Sequence, residues 1–183
     1  MLNIGIIIGS TRPGRKAEDV ARWLHGIAAK RNDASFEVVD IASFNLPLLD
    51  EPLPPSMGQY AQPHTKAWAA KIATFDAFVF VTPEYNHSTS GALKNAIDYL
   101  FREWNDKAAG FVGYGGVGGT RAVEQLRLVM GDTDFENFSM LRPGPHQEAA
   151  VTAMLDDLIA WGQALQTMRT RRAEREALGD SQS

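Results

Sequence analysis

The stretch LNIGIIIGSTRPGRK, residues 2–16, decides the fold class of this chain. Its first half is a nearly continuous run of Ile and Leu that ends in glycine. Such a run is typical of a strand buried on both faces of a parallel sheet. The second half changes abruptly to small, hydroxyl-bearing and basic residues, which is the composition of a tight turn. We therefore predict a buried strand over residues 2–9 that leads into an exposed turn.

Beyond this stretch, strand-like and helix-like segments alternate along the chain. Alternation at this spacing indicates a parallel sheet with helices on both faces, that is, a three-layer α/β sandwich. Ligands bind such sheets beyond the carboxyl ends of the strands, so the loops that follow strands are the candidate site. The further strands are predicted at 35–41, 77–82, 108–114 and 135–141, and the helices at 15–31, 63–75, 91–101, 120–131 and 148–170.

Length and composition narrow the class of protein. A chain of 183 residues supports one domain, which we assign to residues 1–170, followed by a charged tail at 171–183 that frays. The absence of cysteine excludes disulfides and thiolate chemistry, and the net charge of −4 argues against a nucleic-acid partner. No apolar run is long enough to cross a membrane and no signal peptide is visible, so we expect a cytoplasmic protein without a membrane partner.

The first loop, residues 9–16, has the features of an anion site. Small residues let the backbone turn its N–H groups toward one point, and the start of the next helix adds a positive end. Arg12, Arg15 and Lys16 also lie here, and cations at a helix start oppose the helix dipole unless an anion is present. The alternative is a solvated turn whose arginines contact only water. No Walker sequence follows, which argues against nucleoside triphosphate hydrolysis.

The second loop, residues 82–91, suits a planar heteroaromatic ring. Pro83 restricts the backbone where the loop begins, and Asn86, His87 and several hydroxyl groups crowd the loop beside a tyrosine. A ring that carries carbonyl and N–H groups would satisfy these polar groups while stacking on an apolar neighbour. The alternative is a turn that needs no ligand, with Ser90 capping the helix that follows.

The third loop, GYGGVG at residues 113–118, matches the Gly-x-Gly-x-x-Gly dinucleotide fingerprint. The fingerprint belongs on the first strand of its unit, however, whereas only one weak strand and one helix follow here. The acidic residues Asp132, Asp134 and Glu136 also lie before or early in that strand, where they would not reach a ribose. We therefore interpret the glycines as a close backbone approach to a ligand that the first two loops hold.

Taken together, the three loops resemble the NAD(P)H-dependent FMN reductase family of flavodoxin-like proteins, which includes quinone, azo-dye and chromate reductases. The matching segments are GSTRPGR at 9–15, PEYN at 83–86, GALKNAID at 91–98 and the glycines at 115–119. They occur in the family's order, each at a strand end, and the likeness covers roughly the first 145 residues. The Pro-Glu-Tyr-Asn loop with its Leu-Lys-Asn-Ala helix is the most specific of these signals.

The resemblance implies a non-covalent FMN site in this chain. Many relatives have Ser-x-Asn where this chain has Arg15-Lys16-Ala17, so a guanidinium replaces a hydroxyl contact here. The implied residues are Ser10, Thr11, Arg12 and Arg15 at the phosphate, Pro83, Glu84, Tyr85, Asn86 and Ser88 along the isoalloxazine, and Gly115, Gly116 and Gly118 on its other side.

The resemblance also implies a fold and an activity. The fold is a flavodoxin-like sandwich whose five parallel strands have the order 2-1-3-4-5, assembled as a homodimer or homotetramer with the flavin near the partner chain. Residues 44–55 would then be an interface segment. The implied activity is oxidoreductase: hydride passes from NAD(P)H through FMN to a small acceptor such as a quinone or free flavin, in a ping-pong sequence. The cofactor carries this chemistry, so we expect no catalytic side chain.

Two other functions compete with this hypothesis. A flavodoxin-type electron carrier would bind FMN without oxidising NAD(P)H, but its phosphate loop lacks arginine and its charge is strongly acidic. A serine hydrolase would use Ser88 or Ser90 with His87, but no Gly-x-Ser-x-Gly elbow is present. We expect no metal, because no histidine pair has ligand spacing, and we place His87 either against the substrate or on the rim of the site.

Overall fold

A computed structural model describes residues 1–130 and 145–180. Over these residues the chain forms a four-stranded parallel sheet with the strand order β2-β1-β3-β4. The strands are β1 (Leu2–Ile8), β2 (Ala34–Asp40), β3 (Ala77–Pro83) and β4 (Ala108–Tyr114). The helices are α1 (Ala17–Ala28), α2 (Pro63–Ala73), α3 (Gly91–Asp98), α4 (Thr120–Met130) and α5 (Pro145–Asp180).

The predicted order 2-1-3-4 is confirmed, whereas the fifth strand predicted at 135–141 lies outside the described residues. Helix α1 begins two residues later than predicted because Arg12–Arg15 forms a turn, in which the Arg15 N–H donates to the Arg12 carbonyl at 3.1 Å and Gly14 adopts a φ of 69°. Helix α5 continues to Asp180. The division of the chain at residue 170 and the fraying of its tail stay predictions.

Both faces of the sheet are buried at β1, β3 and β4, which explains why these strands read as apolar runs, whereas the edge strand β2 is partly exposed. Successive strand residues point to opposite faces. Ile4 and Ile6 therefore pack in a core with α1 and α5, while Ile7, Phe78 and Phe80 pack in a second core with α2, α3 and α4. Two covered faces leave the ends of the strands as the places where polar groups gather.

The long connection between β2 and α2 is tied to α3 by side chains that bind its backbone. The Asn95 amide donates to the Pro47 carbonyl at 2.6 Å and accepts from the Leu49 N–H at 3.0 Å. The Tyr99 hydroxyl donates to the Asp50 carboxylate at 2.9 Å, and burial together with this carboxylate raises the pKa of Tyr99 to about 12. Between these anchors Leu48 is 85% exposed, so an apolar side chain is presented to solvent on a fixed backbone.

Lys107 lies at the opposite end of the sheet from the candidate loops, immediately before β4. Its ammonium donates to the Ile72 carbonyl at 3.3 Å and sits 5.5 Å from the centre of the Phe78 ring. Burial and the nearby Arg169 lower the pKa of Lys107 to about 8. Because ligands of such sheets bind at the carboxyl ends of strands, we interpret this strongly shifted amine as a cost to stability.

We expect Lys107→Met to raise the free energy of unfolding by roughly 1–2 kcal/mol near pH 7, where the protonated amine is buried unfavourably. Between about pH 8 and the ordinary lysine pKa near 10.5, the unfolded chain binds a proton that the folded chain does not. The wild-type protein should therefore gain stability as the pH rises through this range, and the advantage of the variant should disappear.

Urea unfolding of both proteins at pH 7 and pH 10 measures this difference. Lys66→Met is the matched control, because Lys66 is an exposed lysine on α2. A Lys107→Met variant that is no more stable than wild type at pH 7 would contradict the interpretation.

Candidate functional site

The three loops that follow β1, β3 and β4 meet at one edge of the sheet. We call residues 9–16 loop 1, residues 84–90 loop 2 and residues 115–119 loop 3. Their strands are adjacent and parallel, so the carboxyl ends of all three converge. The Ser90 hydroxyl donates to the Gly9 carbonyl at 2.5 Å, and the Ser10 and Tyr85 hydroxyls are 3.0 Å apart. The sequence motifs are therefore brought together as one site.

Loop 1 presents two cations that no acidic group of the described residues neutralises. Arg12 and Lys16 are exposed, and no carboxylate of residues 1–130 or 145–180 lies within ion-pairing distance of either. Among the same residues, no side chain caps the N-terminus of α1. Uncapped N–H groups beside two free cations form a ready anion site. This arrangement fits a phosphate group well.

Arg15, by contrast, is held within the protein. Its guanidinium donates to the Ser10 carbonyl at 2.8 Å, to Glu18 at 2.6 Å and to Asp40 at 2.5 Å, and its side chain is only 12% exposed. Two carboxylates balance its charge. Of the three basic residues of loop 1, only Arg12 and Lys16 therefore lack a described carboxylate partner, and the contact between Arg15 and a phosphate stays a prediction.

Ser10 is also occupied by contacts inside the protein. It is fully buried, and its hydroxyl lies 3.4 Å from the Arg12 N–H as well as 3.0 Å from the Tyr85 hydroxyl. Thr11 is exposed at the tip of the loop. The described geometry thus places Thr11 and Arg12 on the open side of loop 1, and Ser10 behind them.

Loop 2 turns sharply at Asn86 and His87. Tyr85 and Ser88 exchange both backbone hydrogen bonds, at 2.9 and 3.1 Å, and the two residues between them have φ values of 49° and 67°. Two consecutive positive φ angles characterise a type I′ turn. Asn86 and His87 are exposed at the tip, whereas Pro83 is buried. The turn therefore projects one amide and one imidazole beside loop 1.

Loop 3 is a glycine-rich crossing from β4 to α4. Gly118 and Gly119 have φ values of 76° and 75°, in the left-handed region that favours glycine. Gly115 and Gly116 are exposed, whereas Gly118 is buried. The Glu84 N–H of loop 2 donates to the Tyr114 carbonyl at 3.1 Å, which places the start of loop 3 directly beside loop 2.

Two residues that support the site were missed by the sequence reasoning. Asp40 ends β2 and pairs with Arg15, and Arg121 lies in the first turn of α4 and pairs with Glu84. The position of Asp40 at the carboxyl end of a strand was a usable signal, because side chains there face the ligand edge of the sheet. Nothing in the local sequence around Arg121 distinguishes it from a solvated helix residue.

Comparison with known proteins identifies a family and a fold. The family described as NADPH-dependent FMN reductase matches residues 2–141. An NAD(P)H-dependent FMN reductase of a Nectria species is 42% identical over 140 residues, which cover 71% of this chain and 70% of the relative. A quinone reductase of Escherichia coli K12 is 37% identical over 136 residues, covering 70% of this chain and 69% of the relative.

A solved structure has the same fold at low sequence identity. The flavoenzyme NAD(P)H:(acceptor) oxidoreductase FerB of Paracoccus denitrificans aligns with a TM-score of 0.72 at 19% identity, covering 90% of this chain and 98% of that protein. The flavodoxin-like α/β fold predicted from the sequence is confirmed over the described residues. Over those residues, no helix is long and apolar enough to cross a membrane.

Proposed function

The chain belongs to the NADPH-dependent FMN reductase family, and from this premise we propose that it binds FMN at the junction of its three loops. The observation that carries the proposal is that Arg12 and Lys16, which pair with no described carboxylate, lie beside the N-terminus of α1, which no described side chain caps. When bound, FMN would supply the redox chemistry by accepting hydride from NAD(P)H and reducing a small acceptor.

In this proposal the residues of loop 1 divide into binding and positioning groups. Thr11, Arg12 and the first N–H groups of α1 bind the phosphate dianion, with Lys16 adding positive charge. Ser10 and Arg15 also hold the loop in shape from behind, because their polar atoms contact Tyr85, Glu18 and Asp40, and their own contact with the phosphate stays a prediction. This assignment refines the phosphate ligands that the family resemblance implied.

Loops 2 and 3 would bind the ring system. Pro83 to Asn86 and Ser88 line the isoalloxazine, with the Asn86 and His87 turn facing its polar edge. Gly115, Gly116 and Gly118 approach it from the other loop, where the absence of side chains permits backbone contact. His87, exposed at the turn, would meet the incoming substrate on the rim.

The acceptor is proposed to be a quinone or a similar small oxidant. Relatives named quinone reductase and a structural neighbour named for an NAD(P)H:acceptor activity support this class. Among the described residues of the site, no nucleophilic side chain is paired with a base. We therefore propose that the chain binds and orients the two substrates over the flavin.

We propose that the chain works as a homodimer or a larger homo-oligomer through the connection between β2 and α2. Leu48, Leu49, Leu53 and Met57 are all exposed on this segment, with Phe101 exposed after α3. Asn95 and Tyr99 hold the backbone of this segment fixed. The segment therefore loses little backbone conformational entropy when a partner covers its apolar side chains. This supports residues 44–55 as the interface segment.

Leu48→Asp should dissociate the assembly, because a charge would be buried at the centre of the apolar interface. Light scattering coupled to size-exclusion chromatography would then show a smaller species than wild type at the same concentration. Trp161→Asp on α5 is the control, because Trp161 is also exposed and α5 packs on the opposite face of the sheet from Phe44 and Leu46. An unchanged mass for Leu48→Asp would contradict the proposed interface.

The proposed function itself is tested by purifying the protein and recording its visible spectrum, followed by identification of the released pigment. We expect FMN, together with oxidation of NADPH or NADH that depends on an added quinone. Bound FMN without NAD(P)H oxidation would favour the electron-carrier alternative. A colourless protein that FMN neither binds nor activates would overturn the proposal.

A further inference from the structure

The Glu84 side chain lies where loop 2 meets loop 3, and it is nearly enclosed. Its side chain is 8% exposed, and its carboxylate accepts from the Arg121 backbone N–H at 3.2 Å. The Arg121 guanidinium nitrogen Nε lies 3.4 Å from the other carboxylate oxygen. Burying a carboxylate costs desolvation energy, which hydrogen bonds and ion pairs such as these offset.

The backbone of Glu84 binds one end of loop 3, and its side chain binds the other end. The Glu84 N–H donates to the Tyr114 carbonyl, where β4 ends and loop 3 begins. The Glu84 carboxylate accepts from Arg121 in the first turn of α4, where loop 3 has just ended. N–H groups in the first turn of a helix have no partner within it, so the carboxylate serves as a cap supplied from another loop.

Loop 3 needs such an external restraint. Four of its five residues are glycine, three of them with positive φ angles, and its one larger residue, Val117, is exposed. A segment of this composition has high conformational freedom and few contacts of its own. Within the loop, the Gly118 N–H donates to the Gly115 carbonyl at 3.2 Å. Fixing both ends from one residue would hold the loop in a single shape.

We infer that the Glu84 side chain is a positioning residue that holds loop 3 against loop 2 so that the glycine backbone can contact the flavin. The inference rests on the proposed function for its consequence, but the restraint itself is a property of the free protein. The Glu84 side chain would therefore position loop 3, whereas residues 83–86 of the same chain segment would line the isoalloxazine. The hydrogen bond to the Arg121 N–H carries the effect, and the ion pair with the half-exposed Arg121 side chain is secondary.

Two substitutions of similar shape separate the hydrogen bond from simple packing. Glu84→Gln keeps an oxygen that can accept from the Arg121 N–H, whereas Glu84→Met fills the same space without an acceptor. We expect Glu84→Met to weaken FMN binding at least about tenfold, and Glu84→Gln to stay within about threefold of wild type. Arg121→Ala should also stay within about threefold, because its backbone N–H remains.

Titration of the apo-protein with FMN, monitored through the quenching of flavin fluorescence, measures these affinities. Glu124→Met is the matched control, since Glu124 is an exposed glutamate on α4, the helix that contains Arg121. Wild-type affinity in Glu84→Met, or an equal loss in Glu84→Gln, would overturn the inference. Failure of the wild-type protein to bind FMN would instead overturn the proposed function.

Amide hydrogen exchange of the free protein tests the restraint without FMN. We expect faster exchange at the Arg121 N–H in Glu84→Met and unchanged exchange in Glu84→Gln, with β1 protected in both variants. If Glu84→Met does not fold, the comparison of Glu84→Gln with wild type decides alone. Retained protection at Arg121 would then support the inference, and its loss would overturn it.

Discussion

Gly119→Ala should destabilise the protein by about 2–5 kcal/mol, which is the largest effect we expect from a single methyl group in the candidate site. Gly119 has a φ of 75°, a conformation that costs other residues roughly 1–2 kcal/mol. An added Cβ would also lie 2.5 Å from the Tyr114 nitrogen and 2.7 Å from the Gly113 carbonyl carbon. Both are backbone atoms, so loop 3 and the end of β4 would have to move, adding a cost of about 1–3 kcal/mol.

Thermal and urea unfolding measure this loss, and each kcal/mol should lower Tm by about 2–4 °C in a domain of this size. Gly116→Ala is the control, because no heavy atom of the described residues lies within 4 Å of its added Cβ. That variant should stay within about 0.5 kcal/mol of wild type. Equal stabilities for the two variants would show that loop 3 does not have the described conformation.

Arg12→Ala should weaken FMN binding by about 10- to 150-fold, the second large effect. A charge-assisted hydrogen bond contributes roughly 1.5–3 kcal/mol, which converts directly to this range of affinity. Arg12 is exposed and has no carboxylate partner among the described residues, so its removal breaks no ion pair there. We therefore expect little change in Tm of the apo-protein.

Titration of apo-protein with FMN measures the change, and Arg22→Ala is its control. Arg22 is an exposed arginine on α1 that pairs with Asp19. The loss at Arg12 should shrink as salt is added, because screening weakens charge interactions at exposed sites. Unchanged affinity in Arg12→Ala would remove this residue from the phosphate site.

The parts of the fold that the sequence predicted well are those set by local pattern. The apolar run at Leu2–Ile8, the alternation of strands and helices, and the glycine-rich loop after β4 all depend on neighbours in the chain. The motif at 83–86 likewise identified a loop at a strand end, and the structure brings it beside loop 1. Such features follow from side-chain periodicity and backbone freedom.

Tertiary pairing could not be predicted in the same way. Arg15 reads as a free cation in the sequence, but Asp40, 25 residues away, lies at its guanidinium. Glu84 similarly meets Arg121, 37 residues further on. Ion pairs of this kind depend on which strand ends become neighbours, and a charge count along the chain does not contain that information.

The turn at Asn86 and His87 has a consequence for the kinetics of cofactor uptake. Two adjacent residues with left-handed backbone angles cost free energy. The free protein already adopts these angles when it folds, before any ligand binds. Because this turn needs no rearrangement, it adds no slow conformational step to association. FMN binding should therefore follow a single exponential whose observed rate rises linearly with FMN concentration.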